Sequence, residues 1–153
     1  MQPEKMRYCS TGEVHLDFHG STYVGVKYLF DHFGLAAVDE VLEATARNVY
    51  KSIFERLQAG DTSELICHWR YYLEREKCDF SLTENPDGSA VLLLRECPML
   101  RQLSKENMLD RTLACRITEA MNEVWCKNSP FEIITEHLEK GCRQTLRRKG
   151  DVK

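Results

Sequence analysis

An α+β domain, with an antiparallel sheet of about four strands in two hairpins covered by amphipathic helices, is what this 153-residue sequence predicts. Two observations carry the prediction. Apolar residues recur at three-and-four spacing over the first half of the chain, and the period shifts to two around Cys78 and again around Phe131. Turn chemistry then sits where each alternating stretch must reverse, at Asn85-Pro86-Asp87-Gly88 and at Glu139-Lys140-Gly141. Two hairpins alone bury too little, so the helices must cover one face of the sheet.

The elements follow in order. Ser21 caps a helix to Phe33, with Val26, Leu29, Phe30 and Phe33 on one face and Gly34 as its stop. A second helix runs from Ala36 to Ala59, where Val38, Val41, Leu42, Thr45, Val49, Ile53, Phe54 and Leu57 keep the helical period until Gly60. Asp61 or Thr62 caps a third, lining up Leu65, Trp69, Tyr72 and Leu73. Cys78 to Glu84 and Ser89 to Glu96 form the first hairpin, its second strand more continuously apolar and so more interior. Pro98, suited to a first helical position, opens a short helix, and Asp110 or Thr112 starts a long one through Leu113, Ile117, Met121, Val124 and Trp125 to Pro130. Phe131 to His137 and Cys142 to Arg148 close the chain as the second hairpin.

Composition narrows the class of function. Lys and Arg total 21 against 24 Asp and Glu, a net charge of −3, which leaves no broad basic footprint for nucleic acid. The cluster Arg143, Arg147, Arg148 and Lys149 reads as a solvated edge. No apolar run approaches the ~20 residues that span a bilayer, and the first residues lack a signal-peptide core, so a soluble cytoplasmic protein without membrane partners is expected. Residues 1–18 read as an arm or edge strand, 19–148 as a single domain and 149–153 as a basic tail. Seven cysteines in a reducing compartment point to free thiols, and no CxxC pair signals a zinc ribbon or a thioredoxin-like motif.

Cys97-Pro98 closes the apolar strand Ala90 to Glu96, Cys115 lies in the middle of the next long helix, and Gly141-Cys142 opens the final basic strand. That order resembles the L-2-amino-thiazoline-4-carboxylic acid hydrolase-like family over roughly residues 19–148. The resemblance implies helices packed on a twisted sheet around an internal pocket, as in small-ligand-binding domains, and hydrolytic opening of a C–N bond in a thiazoline or cyclic amidine. It also implies an acidic group soon after the helix cysteine. Glu119 occupies that place here.

Three readings of Cys97 stay open. It precedes a helix N-terminus, whose free N–H groups and dipole favour a nucleophilic thiolate. It is equally a small apolar residue packed in a tight turn. With Cys115 and Cys142 it could also supply three thiolates to a zinc ion. His68, beside Trp69, is the candidate base, and Glu119, one turn after Cys115, a second acid-base group. Cys9, His15 and His19 have a ligand-like spacing, but in a strand the two histidines lie ~13 Å apart; His19 could instead reach the pocket. A non-catalytic sensor would need only a small-molecule pocket walled by Tyr23, Tyr28, Trp69, Tyr72 and Trp125, with Cys142 among its polar anchors. A third, redox, reading would use an exposed thiol of low pKa with a resolving partner. Exposed sheet edges make a homodimer plausible.

Overall fold

The computed structural model describes residues 17–108 and 110–150. It shows six α-helices and one four-stranded antiparallel sheet among those residues, the α+β architecture expected. Helix α1 (Asp17–Phe33) ends at Gly34, whose φ of 82° is the left-handed conformation that glycine adopts without strain. Asp17, Phe18 and His19 are helical rather than part of an edge strand, and Ser21 turns its hydroxyl back to the Phe18 carbonyl rather than capping.

The long helix expected from Ala36 to Ala59 is broken. Helix α2 (Leu35–Ala44) runs into a π-helical turn (Thr45–Val49), and α3 (Lys51–Gln58) starts afresh after Tyr50. The turn has a local cause: the Thr45 hydroxyl donates to the Val41 carbonyl and the Tyr50 N–H reaches back five residues to the Thr45 carbonyl. It also has a tertiary one, since the Trp125 indole N–H donates to the Ala46 carbonyl at 3.1 Å.

Helix α4 (Ser63–Arg75) takes its first side-chain bond from Asp61, which accepts the Ser63 N–H at 2.9 Å. Thr62 instead donates its hydroxyl to the Gly88 carbonyl in the first hairpin turn. Strands β1 (Phe80–Glu84) and β2 (Ala90–Leu94) form that hairpin. Helix α5 (Pro98–Lys105) follows with proline at its start, and Asp110 caps α6 (Arg111–Cys126) through the Leu113 N–H. Strands β3 (Phe131–His137) and β4 (Cys142–Arg148) complete the chain.

The strand order is β1-β2-β4-β3, so the hairpins join through β2 and β4, with Leu94 opposite Cys142. Burial alternates along β2: Ala90, Leu92 and Leu94 are buried and Val91 and Leu93 are not. One face therefore meets the helices while the other carries the cross-strand pairs Arg147 with Glu132 and Arg143 with Glu136. Two cores result. Ile53, Leu57, Leu65 and Trp69 of α3 and α4 pack on Leu92, Phe131 and Leu146 of the sheet. Tyr23, Val38, Leu42, Leu103, Leu113 and Ile117 form the second, purely helical core. Helix α6 lies between them, with Trp125 in the first and Ile117 in the second.

The basic cluster is more than a solvated edge. Lys149 donates to the carbonyls of Cys126, Lys127 and Ser129 at the end of α6, and the Arg148 guanidinium lies 5.0 Å from the Phe131 ring centroid. Cationic groups there satisfy carbonyls that a helix terminus leaves unpaired. No described helix is long and apolar enough to cross a membrane.

Candidate functional site

The three cysteines singled out by their order converge. Cys97 is the residue before α5, and its N–H donates to the Lys140 carbonyl at 2.8 Å, two residues before Cys142. Cys115 follows Arg111 by one helical turn, and Arg111 holds the β3–β4 turn by donating to the carbonyls of Leu138, Glu139 and Gly141. Each thiol lies within the field of another: Cys97 of Cys142, Cys142 of Cys115, and Cys115 of Cys97. Cys78 joins the group through Cys97.

Burial dominates their chemistry. It pushes the thiols of Cys97, Cys115 and Cys142 up from the ordinary cysteine value, and takes Cys78 to about 11 with the help of Glu76. The amides of Leu100 and Met99 pull Cys97 the other way, as a helix N-terminus should, without closing a capping bond and without offsetting desolvation. These are neutral thiols at neutral pH, which argues for packing over nucleophilic activation.

Polar side chains line the same seam between α6 and the sheet. Asn122 donates to Gln144 at 2.9 Å, Gln144 leans on the Cys142 sulfur at 3.8 Å, and the Asn122 carbonyl oxygen is buried without a partner among the described residues. Glu119 pairs with His137 at 2.8 Å. Glu119 is thus held by an imidazole on β3, a partner that its place on α6 did not reveal.

The zinc set does not form. No group of three or more His, Cys, Asp or Glu among the described residues is placed to hold a metal ion, Cys97, Cys115 and Cys142 included. Cys97 and Cys115 pack against the helical core, while Cys142 turns to Gln144, so the sulfurs serve separate neighbours. Cys9 and His15 lie outside the described residues.

The other expected site residues are dispersed. His68 sits edge-on to Tyr50 and against Tyr72, in the layer of α3 and α4, where burial lowers its pKa. Trp69 and Trp125 are buried in the core beneath the sheet, and Tyr72 lies at the surface. His19 is buried with its Nε2 2.7 Å from Glu76 and its Nδ1 unpartnered among the described residues. Of the expected aromatic wall, Tyr23 and Tyr28 line a hollow.

That hollow is an open groove of about 580 Å³ between α1 and the connection from α5 to α6. Tyr23 and Tyr28 form its aromatic side, Met108 its apolar end, and Lys27, Asp31 and Asp110 its charged rim. Lys27 bonds Asp31 at 2.7 Å, which raises the lysine pKa. Tyr28 stacks on His32 with ring centroids 4.0 Å apart, and the Tyr23 hydroxyl accepts the Asp110 N–H at 3.1 Å. A smaller hollow of about 170 Å³, lined by Phe30, Leu35 and Arg116, adjoins it at Asp110. The i,i+4 pairs Lys27 with Asp31 and Tyr28 with His32, on the wet side of α1, are the signal by which sequence reading could have found the groove.

Fold and site together define a small α+β domain with a thiol-rich seam and an open, charged, aromatic groove. No family model, curated protein or solved structure matches the chain.

Proposed function

We propose that the protein binds a small, flat zwitterion, a heterocycle carrying both a carboxylate and an amidine-like cation, in the groove between α1 and the α5–α6 connection. The observation that carries the reading is the groove itself: its ~580 Å³ is the size of a small-molecule site, and it sets one ammonium and two carboxylates beside two tyrosine rings. Lys27 takes the ligand carboxylate, Asp31 is freed to face the cation, and Tyr28 stacks on the ring. The thiazoline class suggested by the order of Cys97, Cys115 and Cys142 has this pattern of charge.

Titration calorimetry with 2-amino-thiazoline-4-carboxylate tests it. Saturable binding is expected, weakened severalfold by Lys27→Ala, which removes the cation that pairs with the ligand carboxylate at the solvent-exposed rim. Absence of binding, or an unchanged affinity in the variant, would sink the reading.

Hydrolysis at Cys97, which does not line the groove, is the second reading; what favours it is the place of Cys97 at the start of α5, where the Leu100 and Met99 amides pull its thiol against the effect of burial. Turnover lost in Cys97→Ser with binding kept would support it; an ordinary, slow alkylation of Cys97 and no turnover would leave binding alone. The six described cysteines are all free, which supports a reducing, cytoplasmic setting.

A further inference from the structure

We propose that His32 sets which charge the groove accepts: protonated, it stands with Lys27 as a second cation and favours carboxylate ligands, and neutral, it leaves the groove's two carboxylates in the majority and favours cationic ones. This regulation by pH rests on the ligand reading of the groove.

The contacts of the ring decide what titrates. His32 Nδ1 lies 2.9 Å from the Tyr28 carbonyl oxygen, which only accepts, so Nδ1 carries a proton in the neutral and in the charged ring alike. Proton uptake therefore falls to Nε2, which has no partner among the described residues. Stacking on Tyr28, with centroids 4.0 Å apart and planes at 27°, holds the imidazole on the groove's aromatic side, and a tyrosine face favours a cation over it. An exposed ring is thus fixed by one bond and one stack.

The surrounding charges give the switch its sign. Besides His32, the titratable groups lining the groove are Tyr23, Lys27, Tyr28 and Asp31 on α1 and Asp110 on the α5–α6 connection, whose Asn107 and Met108 are neutral. With His32 neutral, two carboxylates face one ammonium, and Asp31 already holds that ammonium through both oxygens at 2.8 and 2.7 Å. A ligand carboxylate must then compete with Asp31 for Lys27. With His32 protonated the charges balance, and Nε2–H offers the carboxylate a second donor. Lys27 and His32 stand five residues apart on one helix, about 8 Å along its axis, so each lies within roughly one Debye length of the other at physiological salt. Carboxylates, tyrosines and ammonium groups ordinarily titrate outside the imidazole range.

Titration calorimetry with two half-ligands, thiazole-4-carboxylate and 2-amino-thiazoline, tests this at about pH 8 and about pH 5.5, on either side of the ordinary imidazole value. At the lower pH the carboxylate should bind roughly two- to fivefold tighter and the cation weaker by a similar factor, the fold-change of an exposed ion pair. In His32→Phe, which keeps a ring to stack on Tyr28, and in His32→Gln, the ratio between the two pH values should approach one for both half-ligands; any titration of the ligands themselves is common to all three proteins and cancels. Ratios near one in the wild type, a shift of the same sign for both half-ligands, or ratios kept in both variants would each overturn the role of His32, as would a carboxylate that binds at neither pH. Saturable binding of 2-amino-thiazoline-4-carboxylate beside any of those results leaves the ligand reading standing. No binding of any of the three compounds at either pH removes both.

Discussion

Single residues decide where the thiol-rich seam closes. A Cβ on Gly141 would stand 1.9 Å from the Leu94 carbonyl oxygen, so the β3–β4 turn passes the end of β2 at a distance only glycine permits. Gly141→Ala must displace that turn and with it the carbonyls that Arg111 grips. The expected cost is about 3 kcal/mol, in the range of strong backbone clashes, read as a lowered midpoint in urea denaturation; a midpoint unchanged from wild type would contradict this geometry. The identity of Gly141-Cys142 as a turn was legible, because glycine before an alternating stretch is turn chemistry. Its contact with β2 was not, because Leu94 lies far away in the chain. The same holds for Asn122 and Gln144, each an ordinary wet residue by its own neighbourhood and a buried pair only once α6 lies along β4.

At the scale of elements, stop and start signals were legible where glycine, proline or a capping acid supplied them. Gly34, Pro98 and Asp110 each stand where an element changes. Between Leu35 and Gln58 none of these occurs and the apolar period never falters, so the π-helical turn left no mark that a helical reading could detect; its cause is a Thr45 back-bond and a tryptophan from α6. Helix α4 shows how a cap combines local and distant partners. Asp61 accepts from Ser63 and from the Arg56 guanidinium, and these bonds, the Ser63 ones foremost, hold its carboxyl down to about 2. Asp61→Ala should lower stability by about 1 kcal/mol, the usual value of an N-terminal cap. Asp61→Asn should recover part of it, because an amide oxygen still accepts the Ser63 N–H. Thermal melts of the two variants check this, and equal losses would assign the effect to the Arg56 pair instead.

For the whole molecule, the two-period pattern foretold the α+β class and the one-sided sheet. The groove escaped notice because its i,i+4 pairs on α1 read as an ordinary wet helix face until α1 packs against the α5–α6 connection. The cysteines carry a consequence for the molecule as a unit. Burial raises Cys78 and Cys126 to about 11, so between the ordinary thiol value near 9 and that range the unfolded chain ionises while the folded one does not. The unfolded state then binds fewer protons, and stability falls as pH rises. Urea midpoints should therefore decline between pH 9 and 11. Cys126→Ala and Cys78→Ala, compared with wild type over that range, should reduce the slope; a slope identical in the variants would assign the decline to other groups.

The strand order has a kinetic meaning of its own. Both outer rungs of the sheet, β1 on β2 and β3 on β4, join segments adjacent in the chain, whereas the central rung brings Leu94 to Cys142. Closing that loop of about fifty residues costs roughly 3 kcal/mol of chain entropy before any contact across it is gained. Helices α5 and α6 both lie inside the loop. Their docking shortens the effective separation, so a helical core that gathers first lowers the entropy cost of joining β2 to β4 beside the thiol-rich seam.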